Sequence, residues 1–482
     1  VKAISYKKDI FPIAMPIFLG SLVFQAQTLI NRAFLGHLGA SNLAVVSNVL
    51  FPMWTTMAML GSLTTGATII MSQRLGAKDR ESARSTGAAA LKWSSLFSLV
   101  LFVFWFFCSE GVYRLMGVSG DILADCVRYT RISAFSFFGV GLSNAVCAIF
   151  QASGKTKPMM YSGALRSGLN ILLDWLLIFG SLGFPKMGLL GAALATVLSD
   201  ACGLTLLVVL LVKDRGLEAR PSLRAAVASP FSSYWPVVRM GVPTSLEDLL
   251  WNLGNVTLIS FLNALDPLAV AAYSLIFTIE ILPIVAFSAL GQTTTVLTGR
   301  AKGAGELGRA RQVALKAQAA AWIVSAAVAA AFLFLPGSIV GIFTTDISLA
   351  ARTVPILLVS SFTLFPRSVN FMAGSGIRGM GDTKWMLATQ VAGTVFIVAL
   401  GRLLIFAPGL GVIGLFIAML ADEGWRSVVN GARFFRLLGR ERRSALAAAA
   451  ASPGAVLAAS AVAIASAAAA SAGEDEPAAK GA

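Results

Sequence analysis

Adding 227 to a residue number in the first half of this chain repeatedly lands on the same residue in the second half. Pro16 goes to Pro243, and Ala44 and Ser47 go to Ala271 and Ser274. GAKDRESAR (Gly76–Arg84) falls on GAGELGRAR (Gly303–Arg311), GKTK (Gly154–Lys157) on GDTK (Gly381–Lys384), and LLIF (Leu176–Phe179) on LLIF (Leu403–Phe406). After a four-residue deletion, Gly188 and Gly191 fall on Gly411 and Gly414. Chance similarity between apolar segments does not hold one register over such a distance, so the chain is a tandem duplication.

Around these motifs lie twelve apolar runs, near residues 10–35, 44–72, 88–107, 132–151, 158–180, 188–212, 235–262, 268–297, 313–335, 354–376, 385–406 and 411–432. A spanning helix needs about 20 mostly apolar residues. In hydrocarbon its backbone groups must be satisfied within the segment, which selects helices. The composition agrees: 57% hydrophobic, 13% charged and a mean hydropathy of +0.79 leave too little charge to cover a soluble domain. Six runs fall in each copy, an even number, so both copies insert the same way up. Such parallel repeats place a site between the halves in many secondary transporters. The expected fold is an all-α polytopic membrane protein with twelve transmembrane helices in two pseudo-symmetric six-helix bundles. Residues 1–213 form an N-terminal lobe, 214–234 a cytoplasmic inter-lobe linker, 235–437 a C-terminal lobe, and 438–482 a basic, then Ala-rich, low-complexity tail. Residues 453–472 are long enough to span, but Ala drives insertion weakly and Ser, Gly and Pro interrupt the run. A disordered or surface-lying tail is expected.

The formal charge of +15 is distributed by connection. Lys78, Arg80, Arg84, Lys155, Lys157, Lys213, Arg215, Arg220, Lys302, Arg309 and Lys384 sit in one alternating set; the other holds only Arg114, Arg128, Arg131, Lys186 and Arg352. That bias orients a protein in a bilayer, with both termini cytoplasmic, and does not describe a nucleic-acid surface. The run after Lys2, Lys7 and Lys8 is too long for the core of a signal peptide. Cys108, Cys126, Cys147, Cys202 and the single His37 show no metal-ligand spacing. Cys108 and Cys126 flank one loop and read as small apolar residues more readily than as a disulfide. Gly154-Lys155-Thr156 looks like the end of a phosphate-binding loop, yet Ile149 stands where the motif needs glycine, and the copy loses the lysine. It reads as a cytoplasmic turn. No enzyme, ATP-driven pump or bound cofactor is expected. The 31 phenylalanines read mainly as lipid-facing.

Embedded ionisable groups carry the chemistry, because each costs about 2.5–3.5 kcal/mol at mid-helix. Arg166, Asn170 and Asp174 are spaced by four, on one helix face. Two readings stand side by side: a protonatable or cation-binding site that Thr196 of the next span joins, or a structural network in which Arg166 keeps Asp174 ionised. The copy has Ile397 and Gly401 at these positions, so coupling belongs to the first half. In the second half Glu247, Asp248 and Glu280 are placed to meet cationic substrate or protons, with Asp248 the weaker candidate; the alternative is that Glu247 or Asp248 sits near a helix end and pairs with a basic loop. Arg367 and Asn370 join Glu247 and Glu280 as expected cavity residues, with compensation of an acid the other reading of Arg367. Asp200 and Glu423 correspond between halves, which favours a shared helix-pairing role.

These residues lie in motifs that resemble the multidrug and toxic compound extrusion family over roughly residues 8–440. The motifs are GHLG (Gly36–Gly39), QRLGAKD (Gln73–Asp79), ASGKTKPMMY (Ala152–Tyr161), NILLDWLLIFG (Asn170–Gly180), GLLGAALATVLSD (Gly188–Asp200) and GVPTSLEDLL (Gly241–Leu250). LAVAAYS, RAKGAGE and GIRGMGDTK continue the likeness in the second half. The resemblance implies two six-helix lobes around a cavity. It also implies exchange of H⁺ or Na⁺ for extruded, often cationic, organic compounds by alternating access. It assigns Asn170 and Asp174 to a first-lobe cation site, where Na⁺ is the possible metal. Two departures matter. Asn31, followed by Arg32, stands where many members have Asp, and the tenth span offers Arg367 in place of the Asp that the sodium-coupled branch pairs with a seventh-helix Glu. Proton coupling through Asp174 is therefore expected, in a monomer in a bacterial cytoplasmic membrane. The alternatives are a lipid-linked oligosaccharide flippase of the same superfamily, which a cavity ringed with Arg would favour, and a passive channel.

Overall fold

The computed structural model of the chain describes residues 3–38, 40–118 and 120–450. Helices α1 (Phe11–Gly36), α2 (Ala40–Gly76), α3 (Arg80–Leu115), α4 (Gly120–Ser133), α5 (Phe135–Ala152), α6 (Lys157–Phe179) and α7 (Leu189–Lys213) make the first half. After α8 (Leu223–Ala228), the second half follows with α9 (Phe231–Asn263), α10 (Pro267–Ile279), α11 (Ile281–Gly303), α12 (Leu307–Phe334), α13 (Pro336–Phe343), α14 (Ile347–Gly379), α15 (Thr383–Ile405) and α16 (Gly411–Ala450). No strand occurs among the described residues. The chain divides into two compact units, up to Phe434 and from Phe435 onward. Both halves of the repeat lie in the first. The second, as far as it is described, is the last part of α16.

The helix limits obey the same offset as the sequence. Shifted by 227, α2 covers Pro267–Gly303, which is α10 and α11 together, and Gly120–Ala152, which is α4 and α5, covers α14. Each half thus makes six crossings: α1, α2, α3, α4–α5, α6 and α7, then α9, α10–α11, α12, α14, α15 and α16. Ten elements qualify as spans by length and composition alone. The other two crossings, α9 and α16, carry Arg239, Glu247 and Asp248, and Asp422, Glu423 and Arg426. The break between α10 and α11 is one residue wide. Pro283 has no N–H for the Ile279 carbonyl, whereas Glu280 N–H still reaches Ile276 O at 2.9 Å.

Three boundaries differ from the sequence expectation. Helices outrun the apolar runs because polar ends fold with them: α3 starts at Arg80, capped by Asp79, whose carboxylate accepts from Ser82 N–H at 3.0 Å. The expected linker 214–234 is docked on the first lobe. Leu217 and Ala219 are buried, Glu218 pairs with Arg80 at 2.8 Å, and Lys92 donates to the carbonyls of Val227 and Ser229 at 2.9 Å each. Those lysine bonds satisfy the end of α8 and let α9 begin at Phe231. The last crossing continues past 432, as α16 reaches Ala450. The Ala-rich run 453–472 lies outside the described residues.

The two lobes meet where α2 packs against α9 and α11, and α1 against α11. At the Lys/Arg-rich end the crossing is two-fold symmetric. A Cβ on Gly76 would lie 2.0 Å from Arg300 O, and one on Gly303 would lie 1.8 Å from Gln73 O. Residues 73 and 300, like 76 and 303, are 227 apart. The hydrogen bonds repeat the symmetry: Gln73 Nε2 donates to Gly379 O at 2.8 Å, and Arg300 Nη2 and Nε donate to Ala152 O at 2.7 and 3.0 Å. Ala152 and Gly379, again 227 apart, are the last residues of α5 and α14, whose carbonyls have no partner within their own helix. The N-terminal segment also crosses over. Ile4 and Ile10 are buried in the second-lobe core, and Tyr6 Oη donates to Lys316 O at 3.1 Å.

A side chain at the glycine crossing must force the lobes apart, and overpacking of this kind costs about 1–3 kcal/mol. Gly303→Ala is expected to lower the melting temperature in detergent. Gly308→Ala, where nothing lies within 4 Å, leaves it unchanged. Equal melting of the two variants would show that the lobes do not cross at Gly303.

Candidate functional site

Gln27 and Asn31 stand one turn apart on α1, and Ser167, Asn170 and Asp174 follow one another along one face of α6. Asn170 is fully buried, and its Oδ1 accepts from both Gln27 Nε2 and Asn31 Nδ2, the latter at 2.7 Å. Ser167 Oγ donates to Gln27 Oε1 at 2.7 Å, and Asn170 Nδ2 reaches Thr196 Oγ1 of α7 at 3.5 Å. Asp174 is 1% exposed, and its Oδ1 has no protein donor; neither has Asn31 Oδ1. The structure therefore gathers Asn31, Asn170 and Thr196 into one hydrogen-bonded cluster, with Asp174 a turn further along α6.

Arg166 does not serve this cluster. Its Nη1 lies 3.3 Å from Asp200 Oδ1 on α7, and its guanidinium lies 5.2 Å from the Phe24 ring. The alternative in which Arg166 neutralises Asp174 is corrected accordingly. The two residues share a face but stand about 12 Å apart along the axis, and the long arginine side chain reaches sideways to the neighbouring helix. Gln27 escaped the sequence reading. Its signal was a second amide one turn before Asn31 in an apolar run, at a position where the copy has Gly254.

The second lobe places a different chemistry in the corresponding space. A partly open cavity of about 140 Å³ is walled by Gly254, Leu258, Ile397 and Met419, the copies of Gln27, Asn31, Asn170 and Thr196. Its polar wall comes from elsewhere. Arg367 Nη1 bonds Glu280 Oε2 at 2.6 Å, and Arg367 Nε lies 3.3 Å from Glu423 Oε1. Asn370 Nδ2 donates to Glu423 Oε2 at 3.0 Å. Arg426 bonds Asp422 at 2.6 Å and Gln390 Oε1 at 2.8 Å. Three carboxylates face two guanidinium groups here, and Glu280 Oε1 has no protein donor. Glu280 and Arg367 line this cavity, with Arg367 compensating two acids, whereas Asn370 bonds Glu423 without lining it. Glu247 does not line it either: it pairs with Arg378 at the Lys/Arg-rich end of α14, the basic-partner arrangement that was its alternative. Asp248 accepts from Ser62 Oγ of α2, across the seam between the lobes.

One substitution pattern links the lobes. Arg166 on α6 packs where Gly203 on α7 leaves room, a Cβ there lying 3.0 Å from Arg166 Cβ. In the second lobe Arg426 on α16 packs where Gly393 on α15 leaves room, a Cβ there lying 2.9 Å from Arg426 Cδ. Residues 166 and 393 correspond at offset 227, and 203 and 426 at 223 after the four-residue deletion. Arginine and glycine have exchanged helices while filling the same gap. Asp200, the acid partner in the first lobe, corresponds to Glu423, but Asp200 joins α7 to α6 through Arg166, whereas Glu423 joins α16 to α14 through Arg367, and the acid beside Arg426 is Asp422.

The remaining motifs are structural. Gly154 turns at φ +72°, Lys155 pairs with Asp214 at 2.6 Å, and Thr156 Oγ1 donates to Ile13 O at 2.9 Å. Cys108 is exposed and Cys126 buried, and both are free thiols. Among the described residues no group of three or more His, Cys, Asp or Glu is placed to hold a metal ion. Outside the spans, Asp266 caps α10 and bonds Arg352 at 2.6 Å, which holds its carboxyl below the usual carboxylate range.

The MatE family profile matches residues 16–176 and 243–403, one segment in each copy of the repeat. "Probable multidrug resistance protein NorM" of Thermotoga maritima is 26% identical over 458 residues, covering 91% of this chain and 94% of that protein. "Uncharacterized transporter YisQ" of Bacillus subtilis is 24% identical, covering 88% of this chain and 93% of its own. A crystal structure of MATE in complex with MaD3S shares the fold with a TM-score of 0.84 at 24% identity, covering 91% of this chain and 97% of that one.

Arg367→Leu leaves Glu280 and Glu423 buried without their cation, a loss of about 3–5 kcal/mol. Arg166→Leu breaks a pair whose arginine is 37% exposed, worth about 1 kcal/mol or less. Thermal unfolding in detergent is expected to separate the two variants clearly, with Arg367→Leu far the lower. Coincident curves would mean that the Arg367 cluster is open to water.

Proposed function

The chain belongs to the MatE family, and on that premise we propose that it is a secondary active antiporter exporting organic, often cationic, compounds in exchange for H⁺. It works as a monomer, by alternating access between its two lobes, in a cytoplasmic membrane with both termini inside. The observation that carries this reading is Asp174: a nearly fully buried carboxylate in a span, whose Oδ1 has no protein donor and which pairs with no arginine or lysine among the described residues. A group this costly to embed, with the spare arginine of its own helix turned to Asp200, is best explained by a proton that comes and goes. The multidrug-resistance name of the Thermotoga maritima relative supports the substrate class.

The seam supports the direction of the cycle. The lobes join at the Lys/Arg-rich ends, which the charge bias assigns to the cytoplasm, and a joined cytoplasmic side supports reading this arrangement as the outward-facing half of the cycle. An external proton reaches Asp174 and substrate leaves outward. The bonds from Gln73 to Gly379 and from Arg300 to Ala152 then break as the inward-open state forms and loads substrate. Coupling requires that proton and substrate differ in affinity between the two states. A proton moving down 100 mV contributes about 2.3 kcal/mol when the substrate is neutral. For a monovalent cation exchanged one for one, the potential cancels and the pH difference alone drives export. A flippase for lipid-linked oligosaccharides would need cations free to meet phosphate, whereas Arg367 and Arg426 are both bound to carboxylates. A passive channel has no use for a symmetric, reversible seam.

Dye efflux from proteoliposomes tests the reading. One-for-one exchange with a cationic dye is expected to sustain about a tenfold dye gradient per pH unit imposed. Asp174→Asn is expected to abolish that response while still binding dye. Native efflux in the Asp174→Asn variant would remove this residue from the mechanism.

A further inference from the structure

We propose that Gln27 makes the first-lobe site select protons over sodium ions, by occupying the amide oxygen of Asn170 that a cation beside Asp174 would need. The inference rests on the reading of Asp174 as the coupling carboxylate and adds to it the residue that decides which ion is accepted.

A desolvated metal cation must collect several oxygen ligands to replace its hydration shell, whereas a proton needs a single oxygen. The oxygens near Asp174 are largely committed. Asn170 Oδ1 has two lone pairs, and both are taken, by Gln27 Nε2 and Asn31 Nδ2. Gln27 Oε1 accepts from Ser167 Oγ at 2.7 Å, so the Gln27 amide is held at both ends and cannot turn without losing a bond. Thr196 Oγ1 spends its hydrogen on Ala192 O at 3.0 Å and faces the Asn170 amide nitrogen. The oxygens left without a protein donor are those of Asp174, whose Oδ1 is buried, and the buried Asn31 Oδ1.

A sodium ion seated on Asp174 that also takes Asn170 Oδ1 as a ligand must pull that oxygen away from Gln27. Gln27 is 8% exposed, so water does not readily take up the released amide donor, and a buried unsatisfied donor is costly. Protonating Asp174 displaces nothing. The charged and titratable groups around the site do not alter this balance. Arg166 of α6 is engaged by Asp200 of α7, Arg32 of α1 is exposed, and Tyr129 of α4 is the neutral titratable group within electrostatic reach of Asp174. Gln27 acts through Asn170 and is a positioning residue.

The test uses the full chain in proteoliposomes with a cationic dye, under a pH gradient without sodium or a sodium gradient at equal pH. The native protein is expected to respond to the pH gradient and not to sodium. Gln27→Leu removes the donor without adding charge, and Gln27→Glu keeps the acceptor for Ser167 while losing the donor. Both variants are expected to gain sodium-driven efflux and sodium-dependent thermal stabilisation, with apparent sodium affinity raised about tenfold or more. A gain of response cannot come from a misfolded variant. Native efflux that runs on sodium at equal pH overturns the inference, as does the absence of any sodium response in both Gln27 variants while Asp174→Asn abolishes pH-driven efflux. Efflux intact in Asp174→Asn overturns the coupling-site reading itself, and the inference with it.

Discussion

Hydrocarbon offers no hydrogen-bond partner, and every feature of this chain answers to that. Backbone groups must be satisfied along each segment, so the crossings are helices. Where a helix ends inside the protein, its free carbonyls must find a donor. Ala152 and Gly379 are such ends, and each is met by a side chain of the opposite lobe, Arg300 and Gln73. The lobes approach closely enough for this because Gly76 and Gly303 put no side chain between the helices. A helix-end requirement and a close glycine crossing thus create a joint that either both lobes make or neither does.

The same constraint governs the polar interior, and the two copies meet it differently. The first lobe fills the space between α1, α6 and α7 with amides bonded to one another, leaving Asp174 at the margin while Asp200 pairs with Arg166. The second lobe lines that space with Gly254, Leu258, Ile397 and Met419 and gathers arginines and acids from α10–α11, α14 and α16 on the other wall. A buried ion pair contributes little net stability yet is costly to break, so the second cluster is a fixed frame, whereas a lone carboxylate can exchange its proton without breaking an ion pair. The exchange of arginine and glycine between helices shows how such divergence proceeds. The gap between two spans needs one large and one small residue, and packing accepts either order.

Helix α1 ties the polar cluster to the joint. Its N-terminal half places Ile13 and Ile17 against Ala289 of α11, and its C-terminal half presents Gln27 and Asn31 to α6. Thr156, at the start of α6, also bonds the Ile13 carbonyl. A displacement of α11 at the seam therefore acts on the helix that holds Asn170. The segment 214–234 is docked on the first lobe and Ile4–Ile10 is anchored in the second, so the polar connections are packed onto the lobes.

The amino-acid sequence by itself determined the duplication, the number of crossings per copy, their common orientation, and the presence of Asn170 and Asp174 in an apolar run. These follow from residue order and from the cost of polar groups in lipid, which needs no knowledge of neighbours. It did not show which faces of the helices meet. In a membrane the lipid-facing side is as apolar as the buried side, so hydrophobic periodicity is a poor guide to contacts. That is why Arg166, on the same face as Asp174, turns to Asp200, why Glu247 leaves the cavity for Arg378, and why Gln27 passed unnoticed. Helix α4 was hidden for the opposite reason, being too polar to register as a span, and α8 because it is only six residues long. Only the tertiary structure decided which side chains share a hydrogen bond, because in a bilayer that choice is made by close packing and by the few polar groups that must find one another.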